Sequence, residues 1–171
     1  MVTMPGMVRP ATLDDLDAIV AVHVAGFRTG NVPHLPPDQR DRLNEERAAA
    51  VWDGMIAAPP PGTEVLVATD DRGRVVGLAC AGRARDHDVA ESAGELYALY
   101  VDPESWGQGH GRELDAAARA HLRSALFTSA VLWVLEANAG ARAFYEHCGW
   151  QADGCRRDHA GAVAVRYRVG L

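Results

Sequence analysis

Apolar positions along the chain switch between a helical and a strand period. Val8 and Arg9 read as extended. From Thr12 onward, Leu13, Leu16, Ile19, Val20, Val24 and Phe27 recur at helical spacing. Thr12 predicts an N-cap, with Asp14 and Asp15 set against the helix dipole. One Gly and three Pro in Gly30–Pro37 predict a loop. A second helix is predicted over Asp38–Ala57, with Leu43, Ala48, Val51, Trp52, Met55 and Ile56 as its apolar face and Pro59-Pro60-Pro61-Gly62 as its stop. Strand patterns follow at Glu64–Thr69 and Arg74–Arg83, joined by the turn Asp70-Asp71-Arg72-Gly73. Arg85–Ser92 is polar and without period.

Glu95–Val101 is a strand candidate. A helix with Leu114, Ala117, Ala118, Leu122 and Ala125 on one face runs on to about Leu126. Ala130–Leu135 is apolar without interruption, as a strand covered on both faces would be. A short helix, Ala139–Cys148, has Asn138 as N-cap and Gly149 as αL stop, and Ala162–Val169 alternates as a terminal strand. The predicted order is β-α-α-β-β-β-α-β-α-β. A strand-helix-strand crossover requires a parallel pair, so the expected fold class is mixed α/β, in a single domain spanning 1–171.

Composition narrows the chemistry. The 171 residues carry 17 basic side chains, all Arg, against 23 Asp plus Glu, for a net charge of -6. Without lysine there is no Schiff-base chemistry and no Walker A loop. An acidic chain without a basic stripe points away from nucleic acid. Cys80, Cys148 and Cys155 form no C-x-x-C pair and the seven His no H-x-x-x-H, so no metal site is expected. Met1–Pro10 does not read as a signal peptide, and Ala125–Leu135 is too short to span a bilayer. A soluble cytoplasmic protein without membrane contact is expected.

The strongest local signal lies between Glu95 and Arg112. A strand ends, Trp106-Gly107-Gln108-Gly109-His110-Gly111 follows, and a helix begins. Amides at a helix N-terminus favour anions, and glycines let a phosphate come close. The glycine spacing does not fit the dinucleotide fingerprint. Together with Tyr100-Val101-Asp102-Pro103, Val134-Leu135-Glu136-Ala137-Asn138, Ala143-Phe144-Tyr145-Glu146, Gly149-Trp150 and the opening Val8-Arg9-Pro10-Ala11-Thr12, this loop resembles the GNAT superfamily of acyl-CoA-dependent N-acetyltransferases. The likeness runs along nearly the whole chain. Gly109 and Gly111 match the family's phosphate loop, whereas Trp106 stands where the family carries Arg or Gln.

The resemblance implies a mixed central sheet of about six to seven strands and about four helices, with strands four and five splayed. Acetyl-CoA is the implied co-substrate. Leu99, Tyr100 and Val101 are implied to bond the pantetheine, and Gly107, Gln108, Gly109, His110, Gly111 and Arg112 to hold the pyrophosphate. Asn138 is implied to reach the cofactor or the amine, and Tyr145 to return a proton to the leaving thiolate. A thiol of pKa ~8.5 and a phenol of ~10 are close enough for that transfer.

Glu95 is the candidate general base, with Glu136, His34, His110 and His23 as further candidates. His23 sits on the apolar stripe and reads as core or rim, and His110 as facing solvent. Acceptor recognition is expected at Phe27, Val32, His34 and Leu35, with Arg83, Asp86 and Tyr97. The expected function is acetyl transfer to a primary amine of a small molecule by direct attack in a ternary complex. A protein or peptide acceptor and a non-catalytic acyl-CoA-binding module are the alternatives. Family members are often dimers, so a homodimer is a candidate assembly.

Overall fold

Strand β2 (Glu64–Thr69) shows how the layers form: Val65 and Val67 pack to one side, Leu66 and Ala68 to the other, and all four are buried. This is the period-two signature of a strand covered on both faces. The computed structural model describes residues 7–171. Residues 1–6, on which the reading of the N-terminus rests, lie outside the described residues.

The strands are β1 (Val8–Pro10), β2, β3 (Val75–Arg83), β4 (Ala93–Val101), β5 (Ser129–Leu135), β6 (Gln151–His159) and β7 (Ala162–Gly170), and the helices α1 (Leu16–Gly30), α2 (Glu45–Ala57), α3 (His110–Ser124) and α4 (Ala139–His147). They form one mixed seven-stranded sheet, ordered β1-β2-β3-β4-β5-β7-β6, in which only β4 and β5 pair in parallel. This is the expected mixed α/β architecture.

Helices α1 and α2 cover one face through Ile19, Val20, Val22, Val24, Ala48 and Trp52. Helix α3 covers the other through Leu114, Ala118 and Leu122, joined by Trp150. Trp150 is 2% exposed and donates from Nε1 to Asp115 Oδ1 at 2.8 Å. Burial raises the Asp115 carboxyl above its usual range, while Arg119 at 2.7 Å supplies the opposing charge.

Several boundaries differ from the sequence pattern. Thr12 is the N-cap as expected, but of a 3-10 turn and not of α1 itself, in a capping box with Asp15. Its N–H and hydroxyl both donate to Asp15 Oδ2, whose carboxylate also takes two bonds from Arg9. A 3-10 turn, Leu13–Asp15, therefore precedes α1 and leaves Leu13 half exposed. The second helix begins at Glu45, because Asn44 accepts from Arg47 N and caps it there. Val51 points to solvent, off the buried face.

Strand β6 has no counterpart in the predicted order. It is an edge strand, exposed along most of its length, so its sequence carries no alternation to read. Arg156, Arg157 and Asp158 charge that edge and discourage further strand pairing.

Replacing Trp150 with Ala is expected to cost about 3–5 kcal/mol of stability, since it opens a cavity and strips Asp115 of a donor. Denaturant unfolding of the two proteins measures the difference.

Candidate functional site

Strand β4 pairs with β5 only at Ala93, Gly94 and Glu95. On its other side it pairs with β3 throughout, but the register slips: Ala81 faces Leu96 and Cys80 faces Ala98. Tyr97 is thus the extra residue of a β-bulge, a feature that bends a strand and re-aims its side chains. Beyond it β4 and β5 diverge, and a cavity of about 810 Å³ opens between them. The edge of β4 from Leu96 to Val101 forms one wall, which includes Leu99, Tyr100 and Val101. Close packing holds this wall from behind, since a Cβ at Gly26 of α1 would stand 3.0 Å from Tyr100 Cδ1.

One end of the cavity is an anion cradle. Gly107 and Gly109 have φ of +76° and +95°, values that other residues rarely adopt. The first helical bond of α3 runs from Glu113 N to Gly109 O. The amides of His110, Gly111 and Arg112 therefore have no partner among the described residues and converge at the positive end of the helix dipole. Arg112 lines the same end, and its guanidinium makes no ion pair among the described residues. Trp106 is half exposed and donates from its indole to Val101 O at 2.9 Å, which ties the loop to the end of β4.

Two expectations are corrected here. The Gln108 side chain turns outward, its amide 3.5 Å from Glu104 O, in a separate surface hollow with Arg72 and Arg74. His110 does not face solvent. It is 7% exposed, because as the first residue of α3 it packs under the loop, with Nδ1 3.9 Å from Glu113 Oε2.

At the centre, Tyr145 and Asn138 both reach the cavity wall. The Tyr145 ring packs edge-on to Phe144 and Trp150, with centroids 5.2 Å and 6.3 Å away, and its hydroxyl makes no hydrogen bond among the described residues. Burial pushes its phenol well above the usual tyrosine value, so it stays protonated. Asn138 is more committed than expected. Its Oδ1 caps α4 by accepting from Ala141 N, and its Nδ2 donates to Gly30 O at 2.9 Å, which leaves one amide N–H for the cavity. It joins the end of α1 to the start of α4.

The other end gathers Glu95, Arg85, Tyr97, Trp133, Arg157, His159 and His34. Glu95 is 2% exposed, and its two oxygens take three N–H groups of Arg85, from the backbone at 3.0 Å and from the guanidinium at 3.2 and 2.7 Å. It is an ion-pair anchor, with few lone pairs left, where a free base was expected. Tyr97 donates to Arg83 O and carries the Arg85 guanidinium over its ring at 4.4 Å. Because of the bulge, Tyr97 packs toward the α1 side of the sheet with Ala98, off the simple alternation with Glu95.

Phe27 is corrected as a recognition residue. It is buried with Leu35 and Leu135 and does not reach the cavity, since the α1 stripe that carries it faces the sheet. His23 also lies off the cavity. It accepts from Trp52 Nε1 at 2.9 Å and stacks on Tyr100, and burial pulls its imidazole down to about 4. Glu136 pairs with Arg156 outside the cavity.

Arg85, Trp133, Arg157 and His159 escape sequence reading. Arg157 and His159 sit on the patternless edge strand, Arg85 in a polar segment without period, and Trp133 inside an apolar run. None of the three cysteines lines the cavity, and burial pushes Cys80 up to about 12 and raises Cys148 and Cys155 as well. No helix among the described residues is long and apolar enough to cross a membrane, and no cluster of three His, Cys, Asp or Glu side chains stands ready for a metal among them.

Comparison with known proteins gives a consistent result. The model of the acetyltransferase (GNAT) family matches residues 28–150. The N-acetyltransferase YuaI of Bacillus subtilis, itself uncharacterized, is 35% identical over 165 residues, covering 96% of this chain and 90% of that protein. A mycothiol acetyltransferase of Propionibacterium freudenreichii is 34% identical over 158 residues, which cover 91% of this chain but only 46% of that protein. Among solved structures, the PaiA N-acetyltransferase of Thermoplasma acidophilum in complex with coenzyme A superposes with a TM-score of 0.73 at 15% identity, covering 97% of this chain and 100% of the other. A phosphinothricin acetyltransferase of Sinorhizobium meliloti in complex with acetyl-CoA gives 0.75 at 20% identity, covering 98% and 89%.

The His23 environment makes a prediction about pH. The unfolded chain binds a proton at His23 near pH 6.5, and the folded chain only near 4. The stability tied to the neutral ring is therefore complete above 6.5 and is lost as pH falls toward 4. Between those values His23→Gln should flatten the stability curve by about 1–3 kcal/mol, measured by urea unfolding at several pH values.

Proposed function

Since this chain belongs to the acetyltransferase (GNAT) family and is an acyltransferase, we propose that it transfers the acetyl group of acetyl-CoA to a primary amine of a small molecule, by direct attack in a ternary complex. The observation that carries this reading is one continuous cavity. It joins the α3 anion cradle to the Glu95–Trp133 pocket along the unpaired edge of β4. The pyrophosphate rests on the amides of residues 110–112 with Arg112 beside it. The pantetheine lies along β4 like an added strand and satisfies backbone groups that β5 has left. A β4 amide near Leu99–Val101 polarises the thioester carbonyl.

The acceptor nitrogen attacks the carbonyl carbon, the C–S bond breaks, and the sulfur takes the proton of Tyr145. The same desolvation that raises the Tyr145 phenol also raises the proton affinity of a buried thiolate, so the two remain matched. Glu95 is neutralised by Arg85 and acts as an anchor. The incoming ammonium first gives one proton to water in the cavity mouth, the neutral amine attacks, and the second proton it sheds on becoming an amide passes through water to the Tyr145 phenolate. The walled acceptor end, built from Tyr97, Trp133 and His159, suits a small molecule. The mycothiol acetyltransferase likeness supports a small acceptor too.

Thiol release from acetyl-CoA across a panel of small amines tests this function. Acetyl-CoA at 100 times its Kd should stabilise the protein by about 2.7 kcal/mol, whereas NAD should not; the reverse pattern overturns the assignment. Tyr145→Phe should lower kcat by about 10–10³-fold with the Kd for CoA retained. An unchanged kcat removes Tyr145 from the proton transfer.

A further inference from the structure

The acceptor end of the cavity carries more positive charge than a chain of net charge -6 leads one to expect. Two guanidinium groups stand in its wall, each laid on an aromatic ring. Arg85 lies 4.4 Å from the Tyr97 centroid and Arg157 lies 4.1 Å from the Trp133 centroid. The two are not equally occupied. Arg85 spends Nε and one terminal nitrogen on Glu95. Arg157 makes no hydrogen bond among the described residues, and its nearest carboxylate oxygen, on Asp86, is 3.5 Å away.

Asp86 divides its oxygens, with Oδ1 the one that faces Arg157. Its Oδ2 accepts from Trp133 Nε1 at 2.9 Å and from the buried Arg166 at 3.0 Å. Arg157 is thus held by stacking on Trp133 and a loose ion pair to Asp86 Oδ1, with its hydrogen-bond donors uncommitted among the described residues, at the edge of the pocket where the acceptor must bind. His159, next but one along β6 and in the same wall, is kept below its usual range by burial and by the positive charge of Arg42 and Arg157.

We propose that the acceptor is a primary amine that also carries a carboxylate, an amino acid or an aminoacyl compound with a free acid group, and that Arg157 is the residue that selects it. This deepens the acetyl-transfer reading and rests on it. A planar guanidinium matches a carboxylate by two parallel hydrogen bonds, and stacking on Trp133 pre-orients the fork at little entropic cost. Arg85, with one terminal nitrogen free of Glu95, faces the same space and adds a second positive group. Pinning the acid end of the molecule there turns its amine toward the thioester on β4. The network of the buried Arg166 with Asp86, Asp88 and Asp153 sets the position of Trp133, which Asp86 holds through its indole, and so of Arg157.

The test uses matched acceptors: amino acids, their carboxamides and the corresponding decarboxylated amines, each read by thiol release from acetyl-CoA. Wild-type protein should prefer the carboxylate over its carboxamide by about 10–100-fold in kcat/KM, the worth of hydrogen bonds to a charged group. Arg157→Gln should erase that preference, with the loss appearing in KM for the carboxylate while the Kd for CoA holds. Arg157→Lys should restore part of it. Equal or better use of the neutral amines by the wild-type protein overturns the inference and leaves acetyl transfer standing. A uniform loss on all acceptors in Arg157→Gln, as a purely structural role would give, also overturns it. Failure to bind CoA, or to release thiol with any amine, overturns the acetyl-transfer reading itself. The wild-type comparison stands even if the variant folds poorly.

Discussion

The site depends on one failure of pairing, the early separation of β4 from β5. Buried backbone N–H and C=O groups are strongly driven to find partners. A half-buried strand edge that β5 abandons after Glu95 is therefore a row of backbone groups open to a strand-like partner. The bulge at Tyr97 provides the bend. It also shifts the side chains so that Glu95, with its Arg85 partner, stays at the floor while Leu99–Val101 face the opening. Each hydrogen bond that an added ligand makes to this edge contributes only about 0.5–1.5 kcal/mol, so the cradle and the acceptor pocket at either end matter as much as the edge itself.

The separation holds because β4 is clamped from both faces. Leu78, Cys80 and the α1–α2 layer lie on one side, and Leu114, Leu122 and Trp150 on the other. Beyond the gap, β5, β7 and β6 are locked by Arg166, which is 5% exposed and meets three carboxylates at 2.6–3.0 Å. Such a cluster satisfies a buried charge, and here it also fixes Trp133 and the far wall. Asn138 closes the remaining side by joining α1 to α4. The lysine-free composition is consistent with this arrangement: the cradle is made of amides and the remaining cationic roles fall to arginine, whose planar fork is better suited to stacking and to paired hydrogen bonds.

Much of this was legible in the residues. The apolar periods located four helices and six strands, and the glycines at 107, 109 and 111 marked the loop that opens α3. Tyr145 and Asn138 both lie at the cavity. What escaped was written in no period. Strand β6 is exposed on both faces and had no alternation to show, so Arg157 and His159 went unseen with it. Phe27 fitted a recognition role by its position in a helix, yet the face it occupies is turned into the core. Leu13 and Val51 matched helical spacing and still face solvent: Leu13 belongs to a 3-10 turn, and Val51 lies off the Ala48–Trp52 face that packs on the sheet.

Local chemistry alone determined the four helices and six of the seven strands, the glycine loop at the start of α3 and the absence of lysine-dependent catalysis, since propensity, capping and composition act over a few neighbouring residues. The tertiary structure decided which side chains are free to act. Glu95 became an anchor when the turn after β3 delivered Arg85 to it, and Asn138 became a tie when α1 ended beside it. Arg157 kept only a loose pair to Asp86 Oδ1 at 3.5 Å, because Asp86 Oδ2 had gone to Arg166 and Trp133. Those outcomes depend on which hydrogen-bond partners, 10 to 108 residues apart in the chain, the fold brings within 3 Å, and no local pattern encodes that competition.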